Sequence, residues 1–114
     1  CDDAAALAVL HALADKGEAE ILATVTCSRN PWAPQTISAI NTYYGRPGIP
    51  IGAPKNEGPR RDSRYTRQIA ERFPHALPHG AEVPDAPIPR QDRQAHLADP
   101  LQHGRARPLG IGVL

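Results

Sequence analysis

Ile21-Leu22-Ala23-Thr24-Val25 is a short, nearly continuous apolar run, and Ile49-Pro50-Ile51 opens a second one further along the chain. Between them, Gln35 to Tyr44 places Ile37, Ile40 and Tyr44 on one side of a helix. Apolar runs of this kind, without polar alternation, suit strands covered on both faces, as in parallel sheets. Cys27 to Pro34 is a loop with two prolines, and Gly45, Pro47 and Gly48 end the helix. Strand, helix and strand together have the ~30-residue size of one βαβ unit. The spacing predicts an α/β fold.

Working outward, Asp2 to Lys16 reads as a preceding helix. Asp2-Asp3 gives it an acidic first turn that complements the helix dipole, and Ala4 to Ala6 are strong helix formers. Leu7, Leu10 and Ala14 fall on one apolar face with Leu13 beside them, and Gly17 stops the helix. Gly52 to Asp62 is loop-like. A third helix is predicted from Ser63 to Arg72, with Tyr65, Ile69 and Phe73 at a four-residue spacing along one face. The fold class is α/β: a partial Rossmann-like parallel sheet with flanking helices and an irregular C-terminal tail. One βαβ unit cannot cover its own faces or strand edges, so the pattern predicts exposed edges in this chain alone.

The chain has 114 residues, one domain at most by length. With 13 Lys+Arg against 12 Asp+Glu, its net charge of +1 argues against a dedicated nucleic-acid binder or a polybasic membrane anchor. No apolar run approaches the ~18–20 residues of a membrane span. Cys1 and Cys27 lack a second pair to make a zinc set, and their spacing asks for no disulfide. There is no methionine, which leads us to expect a piece of a larger protein.

After Phe73 the character changes. Seven of the 13 prolines and none of the aromatic residues lie beyond it. Residues 87–114 show neither a period of 2 nor one of 3.6, so an irregular tail is expected there. The tail also reads as an out-of-frame translation. Pro87-Ile88-Pro89 can be encoded by codons that, one nucleotide forward, give Leu-Tyr, and residues 102–108 shifted likewise give an apolar run ending in Gly.

Two features carry chemistry. The adjacent carboxylates Asp2 and Asp3 open a helix, where ligands bind beyond the carboxyl ends of strands in open α/β sheets. Such a pair serves either as simple acidic capping or as hard-cation ligands. The second feature is Arg60, Arg61, Arg64, Arg67 and Arg72, interleaved with Asp62 and Glu71. It is either a solvated helix face or a surface for anionic partners. The latter gives the alternative function, a small non-enzymatic α/β binding module.

The run from Cys1 to Leu10, Cys-Asp-Asp-Ala-Ala-Ala-Leu-Ala-Val-Leu, resembles the second half of the N-terminal signature of the inosine–uridine-preferring nucleoside N-ribohydrolases, D-x-D-x-x-x-D-D-A before an apolar helix. The strand Ile21 to Val25 leading to Asn30 is similar to that family's strand–loop–Asn segment. Ala39 to Pro47 followed by Ile49-Pro50-Ile51-Gly52 resembles its helix-then-strand region, and His79-Gly80 matches a His-Gly pair of some members. The likeness assigns residues 1–86 to the N-terminal fragment of a nucleoside hydrolase domain and leaves 87–114 as the tail. It implies hydrolysis of the N-glycosidic bond of ribonucleosides to base plus ribose, a glycosidase reaction that uses Ca²⁺, in a parent enzyme that is a homo-oligomer.

Carried over residue by residue, the resemblance makes Asp3 a Ca²⁺ ligand and Asp2 the carboxylate gripping a ribose hydroxyl. Asn30 would line the sugar pocket, and His79 would sit near the base. No catalytic residue falls within the chain. The presumed general base belongs upstream of Cys1, and the remaining Ca²⁺ ligands belong past Leu114. With one or two ligands of the about six to eight that Ca²⁺ takes, the chain by itself is expected to be inactive.

Overall fold

Helix α1 runs from Asp2 to Asp15 and ends where the backbone needs a left-handed residue. Gly17 supplies it at φ +72°. The Glu18 N–H then reaches back to the Leu13 carbonyl at 2.9 Å and the Gly17 N–H to that of Ala14 at 3.1 Å, a Schellman closure that satisfies carbonyls the helix would leave bare. This turn reverses the chain into strand β1, Glu20–Val25. Helix α2, Ala33–Tyr43, ends in the same way. Gly45 takes φ +74°, and the Arg46 N–H bonds the Asn41 carbonyl at 2.8 Å. The same device at both helix ends fixes the directions of β1 and of the short strand β2, Ile51–Gly52. Helix α3 spans Arg64–Arg72 with Ser63 as N-cap, its hydroxyl accepting from the Tyr65 N–H at 3.2 Å. Strand β3 is Pro108–Gly112. The computed structural model describes residues 2–55, 59, 63–77, 83–84 and 108–112.

The three strands form one sheet in the order β2-β1-β3, parallel throughout, so the α/β class stands. Thr24 and Val25 pair with Ile51 and Gly52. On the other side, β1 pairs with β3 from Glu20↔Pro108 to Val25↔Gly112, with an irregularity between Ile21 and Thr24. One expectation is corrected here: the tail is not irregular at 108–112. Both edges of β1 are covered, and among the described residues β2 and β3 are the edge strands of the sheet. Parallel pairing uses backbone N–H and C=O groups, which glycine supplies as well as any residue. Gly110 and Gly112 therefore do not prevent a strand. The rest of residues 87–114 lies outside the described residues, as does the out-of-frame reading of them.

α1 and α2 pack on each other and on the sheet, and α3 stacks against α2. The core is Leu7 and Leu10 of α1, Ala19, Ile37 of α2 and Ile51 of β2, with Leu13, Ile21, Ile40 and Leu77 packed against it. The predicted face of α1 is therefore the one turned to the core, whereas α2 is buried nearly all round, with Ile37 fully buried and Ile40 and Tyr44 only partly so. In α3 the face along Tyr65, Ile69 and Phe73 is not the buried one: Tyr65 and Phe73 are more than half exposed, and Ala70 is buried instead. Thr66 and Ala70, four residues apart, are small enough to bring α3 close to α2 and leave the larger rings outside.

Candidate functional site

The order β2-β1-β3 places a reversal of direction at β1. The chain passes from β1 through α2 to one side and returns to pair on the other side. In open α/β sheets, ligands lie beyond the carboxyl ends of the strands at such a reversal. Here that edge carries the loop from Val25 to α2. α1, with 14 residues at about 1.5 Å each, is about as long as β1 with 6 at about 3.3 Å, and runs back against it. Its start, with Asp2 and Asp3, thus comes level with the same edge.

The loop is tightly tied. Thr26 is buried, its N–H donating to the Gly52 carbonyl at 2.9 Å and its hydroxyl to that of Ser28 at 3.1 Å. Asn30 is buried as well. Its Oδ1 accepts from the Trp32 N–H at 2.9 Å, an Asx turn that starts α2, since Trp32 makes no side-chain cap bond of its own. Its Nδ2 donates to Thr66 Oγ1 at 3.0 Å, and that hydroxyl donates to the Ser63 carbonyl at 2.8 Å. Thr36 Oγ1 lies 2.9 Å from the carbonyls of both Trp32 and Thr66. Asn30 is thus the joint between β1, α2 and α3. Asn30→Ala removes both bonds in a buried setting and is expected to lower stability by about 2 kcal/mol, read from urea unfolding. A change below about 0.5 kcal/mol would rule out the joint.

Asp3 stands exposed in the first turn of α1. Among the described residues, no three His, Cys, Asp or Glu side chains are grouped to hold a metal ion. The described residues therefore bring Asp2 and Asp3 to the edge that bears Asn30 but do not assemble a Ca²⁺ site around Asp3. His79 lies outside the described residues. Cys27 is a free, exposed thiol.

The arginine helix is engaged within the chain. Arg67 Nε donates to Glu71 at 2.7 Å with its guanidinium 5.4 Å from the Trp32 ring, and Arg64 covers Tyr65 at 4.9 Å. Arg60 and Arg61 lie outside the described residues. No described helix is long and apolar enough to cross a membrane. The described residues form concavities on both sides of α2. One of about 360 Å³ lies between Ala4 and Ala8 of α1, Ile40 and Tyr43 of α2, and Ile69 and Phe73 of α3. The other, about 230 Å³, is walled by Pro47, Ile51, Leu77 and Pro84. Both are lined mainly by apolar side chains.

His11 and Asn41 were not singled out in the sequence, yet both are completely buried. His11 Nε2 lies 2.9 Å from Asn41 Oδ1, and its ring stacks on Tyr44 with centroids 4.6 Å apart. Burial holds the imidazole below its ordinary pKa of about 6.5; the Asn41 bond opposes this, Arg46 adds to it and Asp15 opposes it. A signal was available. His11 is four residues after Leu7 and Asn41 four after Ile37, so each lies on an apolar face.

No family model matches this chain, and no curated protein or solved structure matches it.

Proposed function

We propose that this chain carries the N-terminal part of a nucleoside hydrolase that cleaves the N-glycosidic bond of ribonucleosides to base and ribose. The observation that supports this best is the acidic start of α1 at the carboxyl edge of a parallel sheet, level with the loop that leaves β1. The order β2-β1-β3 supports reading the sheet as part of a Rossmann-like fold. In this reading, Asp2 accepts a hydrogen bond from a ribose hydroxyl. Asn30 acts by fixing the loop, because both ends of its amide are already bonded within the chain. Asp3 is the proposed Ca²⁺ ligand, and the described residues do not complete that site, so no step is assigned to the ion here. The engagement of Arg64 and Arg67 within the chain weakens the alternative of a module for anionic partners.

The test is made on the protein as its gene encodes it. The reading predicts D-x-D within about six residues upstream of Cys1, at the spacing of the family signature, and release of free base from ribonucleosides in the presence of Ca²⁺. Asp3→Ala is expected to reduce kcat/KM by about a hundredfold or more and to weaken Ca²⁺ affinity. Near-normal kcat/KM with unchanged Ca²⁺ affinity would sink the assignment.

A further inference from the structure

The seam between α1 and α2 contains a titratable group for which the structure makes no provision in its charged form. His11 is wholly enclosed, sandwiched between its own helix and Tyr44. Neutral, with the proton on Nε2, it donates to Asn41 Oδ1 and leaves only an acceptor lone pair at Nδ1. Among the described residues, neither His11 Nδ1 nor Asn41 Nδ2 has a partner. The charged groups nearby are Asp15, at the end of α1, and Arg46, just after α2. They pair with each other across the same seam, and Asp15 is largely exposed.

We infer that His11 is an acid-sensitive latch that holds α1 on α2 and releases it when the imidazole is protonated. A second proton adds an N–H at Nδ1 with no acceptor among the described residues, in an enclosure that also receives a full charge. Arg46 repels that charge. Asp15 attracts it weakly, because it is solvated and already paired with Arg46. The imidazolium reaches water only if α1 lifts, and α1 takes Leu7 and Leu10 out of the core with it.

The sign follows from linkage. The depressed value in the folded state means that the unfolded chain binds the proton more tightly. The contribution of neutral His11 is fully present above the unfolded value of about 6.5 and is lost as pH falls below it. The limit for one proton is about tenfold in the unfolding equilibrium per pH unit.

The experiment measures urea unfolding of the full chain at pH 7.5, 6.5 and 5.5, with amide exchange of α1 followed over the same range. The unfolding constant is expected to rise by up to about fivefold between pH 6.5 and 5.5, because the unfolded histidine is already half protonated at the upper value. Exchange across α1, corrected for the intrinsic rate, should accelerate before that of β1. His11→Gln keeps a donor toward Asn41, cannot titrate, and should flatten the response. Asn41→Asp gives the imidazolium a carboxylate partner and should reverse it, so the protein gains stability on the same descent in pH. This second variant decides the matter if His11→Gln does not fold. If neither variant folds, the NMR titration of the His11 ring in the native chain decides it, with a midpoint below the ordinary value supporting the latch. A wild-type chain indifferent to pH over this range, a His11→Gln variant with the wild-type slope, an unchanged slope in Asn41→Asp, or a native His11 titrating at or above the ordinary value would each overturn it.

Discussion

Ile37→Ala is expected to destabilise the chain by about 4 kcal/mol, in the upper part of the 2–5 kcal/mol typical of truncating a buried aliphatic side chain. Ile37 is 1% exposed and sits where both packed helices meet the sheet, with Leu7 and Leu10 from α1, Ala19 before β1 and Ile51 from β2 in the same cluster. Its neighbours on α2 include Ala33 and Ala39, which have no length with which to fill the space, and the two Schellman turns hold α1 and α2 in direction. The cavity should therefore stay largely open, which moves the loss toward the upper part of the range. Against a total stability of about 5–15 kcal/mol for a domain, this is a large fraction. Urea unfolding of the variant beside Tyr43→Ala gives the contrast. Tyr43 is 82% exposed, and its replacement should change stability by less than about 0.5 kcal/mol. Equal losses in the two variants would show that Ile37 is not the centre of the core.

The residues that make this prediction possible were legible in the sequence, because they obey a local rule. Leu7 and Leu10, and Ile37 and Ile40, repeat at helical spacing, and Gly17 and Gly45 stand where each helix needs a residue that accepts positive φ. What was not legible depends on distance rather than period. The buried face of α3 was hidden because Tyr65, Ile69 and Phe73 outweigh Thr66 and Ala70 in hydrophobicity. The actual choice is made by close approach to α2 and by the hydrogen bond from Asn30, a residue far away in the chain. Asn30 itself shows how little one residue type fixes a role. An amide after a strand can face a sugar or tie a loop, and only the geometry reveals that both ends are used internally. The acidic start of α1 could be placed from its helix alone. Whether other groups join it around a cation could not be read that way, and among the described residues no such cluster stands there.

Removing residues 85–114 is expected to abolish cooperative unfolding and to drive the remaining chain into aggregates. The expectation rests on β1, the central strand. Its pairing with β2 involves only Thr24↔Ile51 and Val25↔Gly52, whereas β3 follows it from Glu20 to Val25 with four registered pairs. At about 1 kcal/mol for each hydrogen bond made in the sheet, losing β3 removes on the order of a few kcal/mol, before counting apolar surface returned to water. What remains is a two-strand sheet with one very short member, below the size at which sheets are independently stable. The bared edge of β1 also presents an unpaired row of donors and acceptors, with Leu22 half exposed beside it, the arrangement that recruits strands from other molecules. The measurement is urea unfolding with sedimentation velocity on the full and shortened chains. An irregular tail, as the loss of periodicity after Phe73 suggests, predicts the opposite outcome: a shortened chain that stays monomeric, unfolds in one step and keeps the midpoint of the full chain. That result would show that β3 contributes nothing to the sheet and that the fold is complete without it.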